Sequence, residues 1–157
     1  TVNVDYTTSS GKLTFGTGVV SQSFDLLIPG DEIDELDETF GVRLLNPTGG
    51  AAIGAGTATV TIVDNDVVTL TVLPRTVSEG SGAANLGIAV SMAGLSDRPV
   101  QVTYTTLNGT AYSGLDFTAV TGTFTWAAGA TGVREANLPP IADGVNELSE
   151  TLTVSLS

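Results

Sequence analysis

Asp31 to Leu44, read as DEIDELDETFGVRL, returns near the other end of the chain as DGVNELSETLTVSL, Asp143 to Leu156. Each time an acidic run feeds an alternating apolar and polar segment, the pattern of a strand buried on one face. Two further pairs keep the same order: VDYTT (Val4 to Thr8) with VTYTT (Val102 to Thr106), and GKLTF (Gly11 to Phe15) with GTFTW (Gly122 to Trp126). Self-similarity of this kind marks two copies of one structural unit.

Short alternating or β-branched segments fill the chain: Val2 to Thr8, Lys12 to Phe15, Ser23 to Ile28, Thr39 to Leu45, Thr57 to Val63, Val67 to Leu73, Asn85 to Met92, Val100 to Thr106, Gly122 to Trp126 and Thr151 to Leu156. Turn residues separate them, as at Asn46-Pro47-Thr48-Gly49-Gly50 and Asn108-Gly109. Helix signals are almost missing. The pattern predicts an all-β chain of tandem immunoglobulin-like antiparallel β-sandwiches. Copy one is expected over residues 1–66, lacking its N-terminal strands and one loop. Copy two is expected over residues 67–157, lacking its C-terminal strand. Where copy two has Leu107 to Thr121, copy one has only Ser9-Ser10. Either a deletion or an omitted loop gives this difference, and an omitted loop is favoured because copy two treats the same step as a long connection.

Five basic residues against seventeen acidic ones give a formal charge of −12, which repels nucleic-acid phosphates and anionic membrane surfaces. Cations are the favoured partners. The chain has no cysteine and no histidine, which removes disulfides, thiolate chemistry, the usual zinc ligands and the commonest general base. Any metal is then held by oxygen. No apolar run approaches the ~20 residues that span a bilayer, so direct membrane insertion is not expected.

Enzymatic readings fail on their partners. Asp116, Asp143 and Glu147 lack the aromatic-lined sugar cleft that a glycosidase pair needs. The serines have no activating histidine and no G-x-S-x-G elbow. Gly16-Thr17-Gly18 and Gly54-Ala55-Gly56 lack the strand and helix context of a phosphate loop. Tyr6 with Tyr104, Phe15 with Trp126 and Phe40 with Leu152 sit at matched positions, as shared core residues do. Asn108-Gly109-Thr110 fits a glycosylation sequon, but Asn-Gly is turn chemistry in its own right.

The chain resembles the Calx-β family, the β-sandwich module of sodium–calcium exchanger regulatory regions, integrin β4 and many large bacterial surface proteins. The resemblance rests on VSEGSG (Val77 to Gly82), VTYTTLNGTAYSGLDF (Val102 to Phe117), GTFTWAAGAT (Gly122 to Thr131), the acidic run Asp31 to Phe40, and NPTGGAAIGAGTATVTIVDND (Asn46 to Asp66). It implies calcium at one end of each sandwich, gathered by acids distant in sequence. In copy two it implies Glu79, Asp116, Asp143, Glu147 and Glu150 as ligands. In copy one it implies Asp31, Glu35, Glu38, Asp64 and Asp66. The chain departs from the fullest family pattern at Gly30 and Ala142, where some members carry another acid.

The residues fit that chemistry. Calcium takes six to eight hard oxygen ligands in irregular geometry, whereas magnesium demands a tight octahedron. The acidic run is not an EF-hand loop, since it lacks the D-x-[DN]-x-[DN]-G spacing. At the junction, Ile62 to Leu70 (IVDNDVVTL) runs the end of copy one into copy two without a flexible tether. Calcium on Asp64 and Asp66 is expected to stiffen that joint.

The expected function is thus a non-catalytic, calcium-binding structural repeat of a secreted or cell-surface protein, a stalk or adhesion scaffold. Its expected partners are calcium ions, neighbouring repeats of the same protein, and a host or cell-surface protein or glycan. A regulatory calcium sensor of a transporter or signalling protein is the alternative, and a metal-free adhesive sandwich the third reading.

Overall fold

The computed structural model describes residues 5–77 and 86–157. The chain divides into two compact units: Thr1–Glu32 with Leu36–Asp64, and Ile33–Glu35 with Asn65–Ser157. Among the described residues there is no helix.

In the second unit two three-stranded sheets face each other across one core. The first contains β4 (Thr69–Leu73), β5 (Leu86–Ala93) and β9 (Gly132–Leu138), with β5 central. The second has β7 (Val100–Asn108) between β10 (Leu152–Leu156) and β8 (Thr121–Trp126). Every neighbouring pair in these two sheets is antiparallel. Inward residues at period two deliver Ile88, Val90 and Met92 from β5, Val102 from β7, Phe124 and Trp126 from β8 and Leu138 from β9 to one buried cluster. Each large apolar side chain fully buried there contributes about 1.5–3 kcal/mol. Trp126 has no exposed surface, and its indole N–H donates to the carbonyl of Gly132 at 2.9 Å, so its polar atom is not stranded in the core.

A separate two-stranded parallel pair joins β1 (Ile33–Asp34) to β6 (Leu95–Ser96). Ser96 is buried, and its hydroxyl donates to Asp34 Oδ2 at 3.1 Å. Arg98 Nη2 donates to the same oxygen at 3.1 Å. These contacts place Ile33–Glu35 in the second unit although they lie inside the acidic run of copy one.

Among the described residues of the first unit, the paired strands are β2 (Glu38–Arg43) and β3 (Thr57–Ile62), which run antiparallel. Tyr6 stacks on Phe40 with ring centroids 4.5 Å apart. In the second unit Tyr104 stacks at the same spacing on Phe124. Lys12 to Phe15 and Ser23 to Ile28, read above as strands, are irregular here. Pairing explains the first. The β7–β8 register sets Tyr104 opposite Gly122. Carried to copy one, it sets Tyr6 opposite Gly11 and Thr8 opposite its own neighbour Ser9, leaving no residue for a turn that needs about two.

Strand β9 escaped the sequence reading because its alternation is inverted. Val133 points outward, while Arg134 is half-buried with its guanidinium 5.7 Å from the Trp126 ring centroid. A cation over an indole hides the apolar period. Val2 to Val4 and Asn85, at the ends of two expected strands, lie outside the described residues.

A Cβ at Gly122 would run into the ring and hydroxyl of Tyr104. Gly122→Ala is expected to destabilise the second unit by about 1–3 kcal/mol through overpacking. Urea unfolding followed by the fluorescence of the single tryptophan, Trp126, reads this unit alone; an unchanged midpoint would show that Tyr104 moves aside freely.

Candidate metal centre

Asp116 owes its position to a loop folded against the start of β10. After β7 the chain turns at Asn108-Gly109 so closely that a Cβ on Gly109 would strike the Thr151 carbonyl oxygen. Only glycine permits that approach. The Ala111 N–H then donates to the Thr151 carbonyl at 2.9 Å, and the Thr151 N–H donates to Thr110 Oγ1 at 2.8 Å. The loop and β10 are thereby clamped together at the residue next to Glu150.

The other half of the loop aims the carboxylate. Tyr112 N–H donates to Asp116 Oδ2 at 2.6 Å, and the adjacent Ser113 N–H donates to Asn108 Oδ1 at 3.0 Å. Asp116 N–H returns to the Tyr112 carbonyl at 2.9 Å. Gly114, at φ +88°, supplies the left-handed residue this turn requires. Phe117, buried at 2% exposure, anchors the loop in the core, and Ile141 N–H donates to the Asp116 carbonyl at 2.9 Å. That last bond brings in the acidic segment that follows β9.

The result is a gathering of Asp116, Glu147 and Glu150, with a carboxylate oxygen of each within 4.8 Å of the others. Asp116 is half-buried; both glutamates are exposed. Two unit charges so placed repel by about 1 kcal/mol in water and by several-fold more at lower effective dielectric. Three hard anionic oxygens, with neighbouring carbonyls and water, are the donor set calcium takes. Among the described residues this is the one group of three acids gathered so closely.

The remaining expected ligands are not part of this group of three. Asp143 Oδ1 accepts the Val145 N–H at 2.7 Å, closing a local turn. Glu79 lies outside the described residues. In the first unit, Glu38 opens β2 and Asp31 precedes β1, while the Asp64 N–H donates to Asp37 Oδ1 at 3.0 Å. Glu35 and Asp66 belong to the second unit. Sequence reasoning passed over Asp37 and Asp34. The first supports the Asp64 backbone and the second is engaged by Ser96 and Arg98. The repeat held no signal for them, since their counterparts, Ser149 and Asn146, are not acids.

An all-β module repeated along a chain, with acids from separated loops meeting at one end, defines a class of oxygen-ligand β-sandwich. A Calx-beta domain profile matches residues 1–66 and again 64–157; the chain belongs to the Calx-beta family. Adhesion G-protein coupled receptor V1 of Danio rerio is 32% identical over 165 residues, spanning 94% of this chain and 3% of that protein. Among solved structures, CBD12 from CALX1.2 is 26% identical with a TM-score of 0.46, covering 100% of this chain and 62% of its own. The apo-form Calx CBD1 domain is 26% identical with a TM-score of 0.44, covering 46% of this chain and 64% of its own. The chain thus spans a small part of the receptor and less than two thirds of either solved chain.

Crowding of the three carboxylates sets an expectation of its own. In chelator at low ionic strength, Glu147→Gln should raise the melting temperature of the second unit by a few degrees, and salt should shrink the gain. Differential scanning fluorimetry checks it; a lowered melting temperature would mean that the glutamate's other contacts outweigh the repulsion.

Proposed function

We propose that this chain is a non-catalytic, calcium-binding structural repeat of a cell-surface protein, built as two modules over residues 1–66 and 67–157. The observation that carries the reading is the meeting of Asp116, Glu147 and Glu150 within 4.8 Å. Asp116 lies 31 and 34 residues from the two glutamates in sequence, and carboxylates brought this close repel one another, which a bound cation relieves. Calcium suits them better than magnesium, because an irregular site with long, exposed glutamates cannot impose a tight octahedron.

In this proposal Asp116 is the fixed ligand, aimed by the Tyr112 N–H, and Glu147 and Glu150 close on the ion from the segment leading into β10. Asp143 joins from its turn. In copy one, Asp31, Glu38 and Asp64, which belong to the first unit, take the corresponding roles. A cell-surface setting is supported by the resemblance to an adhesion receptor across 94% of the chain. The acidic charge of −12 supports cations over nucleic acid or anionic lipid as partners.

Calcium bound only by the folded state must stabilise it, by about 2.7 kcal/mol at a hundredfold excess over the dissociation constant. A thermal melt should therefore shift upward in calcium relative to chelator, with little shift in magnesium. Asp116→Asn combined with Glu150→Gln should remove the second unit's share of the shift, read by Trp126 fluorescence. Equal shifts in the two metals, or none at millimolar calcium, would refute the reading.

A further inference from the structure

Asn108-Gly109 carries chemistry as well as a turn. A glycine nitrogen that follows asparagine is the least hindered nucleophile the backbone offers, because no Cβ shields it. Its target is the side-chain carbonyl carbon of the asparagine itself. Asn108 is exposed, so water reaches the amide and whatever forms from it.

The fold holds the two reacting atoms apart. Asn108 is the last residue of β7 and lies opposite Leu152 of β10, and an extended backbone swings the following nitrogen away from the side chain. The Gly109 N–H is engaged by the Ala111 carbonyl at 3.2 Å, and Asn108 Oδ1 accepts the Ser113 N–H at 3.0 Å. Gly109 is also pressed against the Thr151 carbonyl oxygen, where a Cβ has no room. Ring closure needs the reacting atoms within ~3–3.5 Å and aligned. It therefore waits for the end of the β7–β10 ladder to open locally.

Charge drives that opening. Asp116 stands on the loop side of the clamp at Thr151, and Glu147 and Glu150 stand on the side of β10. With a carboxylate oxygen of each within 4.8 Å of the others, their repulsion pushes loop and strand apart.

We propose that Asn108 is a site of spontaneous intramolecular deamidation, gated by the repulsion among Asp116, Glu147 and Glu150. In the opened ladder the Gly109 nitrogen gives up its proton and bonds to Asn108 Cγ. The Cγ–Nδ2 bond breaks, and ammonia leaves carrying that proton. Water then opens the cyclic imide, adding its hydroxyl to one carbonyl carbon and returning a proton to the nitrogen. Attack at one carbonyl leaves an aspartate at position 108, a further carboxylate in the loop that carries Asp116. Attack at the other leaves an isoaspartate, which lengthens the main chain by a methylene where Thr151 leaves Gly109 no space. The clamp then cannot close again, so the site records time spent without a neutralising cation. Gating by calcium rests on the metal reading above, whereas gating by charge does not.

The test incubates the whole chain at neutral pH and low ionic strength in chelator and follows position 108 by peptide mapping and mass spectrometry. A free peptide of Thr106 to Asp116 should convert fastest, and the folded chain more slowly. Molar salt should slow the chain about fivefold or more by screening the carboxylates, and Glu147→Gln should slow it similarly in chelator. Calcium in hundredfold excess over its dissociation constant should slow it by about tenfold or more, as a ligand of the closed form does. Equal rates for chain and peptide, no conversion of either, or a rate in the chain that neither salt nor Glu147→Gln changes would overturn the proposal. Slowing by salt and by Glu147→Gln without any effect of calcium upholds the charge gate and counts against the metal reading alone.

Discussion

Three carboxylates gathered at one end of a sandwich repel one another, and the second unit keeps them together through the ladder between β7 and β10. That ladder is what makes Asp116 and Glu150 neighbours, since one lies in the loop that follows β7 and the other is separated from the start of β10 at Leu152 only by Thr151. The clamp at Thr151 fixes the loop to the strand with backbone groups that carry no charge to screen. Holding like charges close is a cost that folding bears. The same geometry without acids would be an ordinary loop end.

The two copies of the module make different use of one pattern. In the second unit a long loop allows β7 and β8 to pair, two sheets share one core, and Trp126 lies fully buried in it with its N–H satisfied. In the first unit the two-residue step at Ser9-Ser10 forbids that hairpin. Among the described residues its strands are β2 and β3, with Phe40 stacked on Tyr6. Asp34 shows the same divergence in the acidic run, because an arginine and a buried serine engage it where the second copy has Asn146.

Charge on this chain is thus not uniform decoration. Asp34 is committed to Ser96 and Arg98, Asp37 to the backbone of Asp64, Asp143 to its own turn, and Glu135 to Arg75. The acids that converge lie in two loops separated in sequence, the one after β7 and the one before β10. A surface count of carboxylates cannot distinguish these roles, whereas hydrogen-bond partners do.

The sequence by itself determined the all-β character, the repeat and its family, because period-two alternation and internal similarity are local properties that need no knowledge of partners. It also named Asp116, Glu147 and Glu150 among its wider set of candidate ligands in both copies, through the resemblance to Calx-β modules. Tertiary structure alone decided that these three meet while Asp143 closes a turn, because distance between separated loops depends on which strands pair and in what register. It likewise decided that Gly132 to Leu138 is a strand, since Arg134 lies over Trp126 and breaks the apolar alternation. Lys12 to Phe15 reads as a strand and is none, because a strand exists only where a neighbour can reach it, and two residues cannot turn the chain back upon itself.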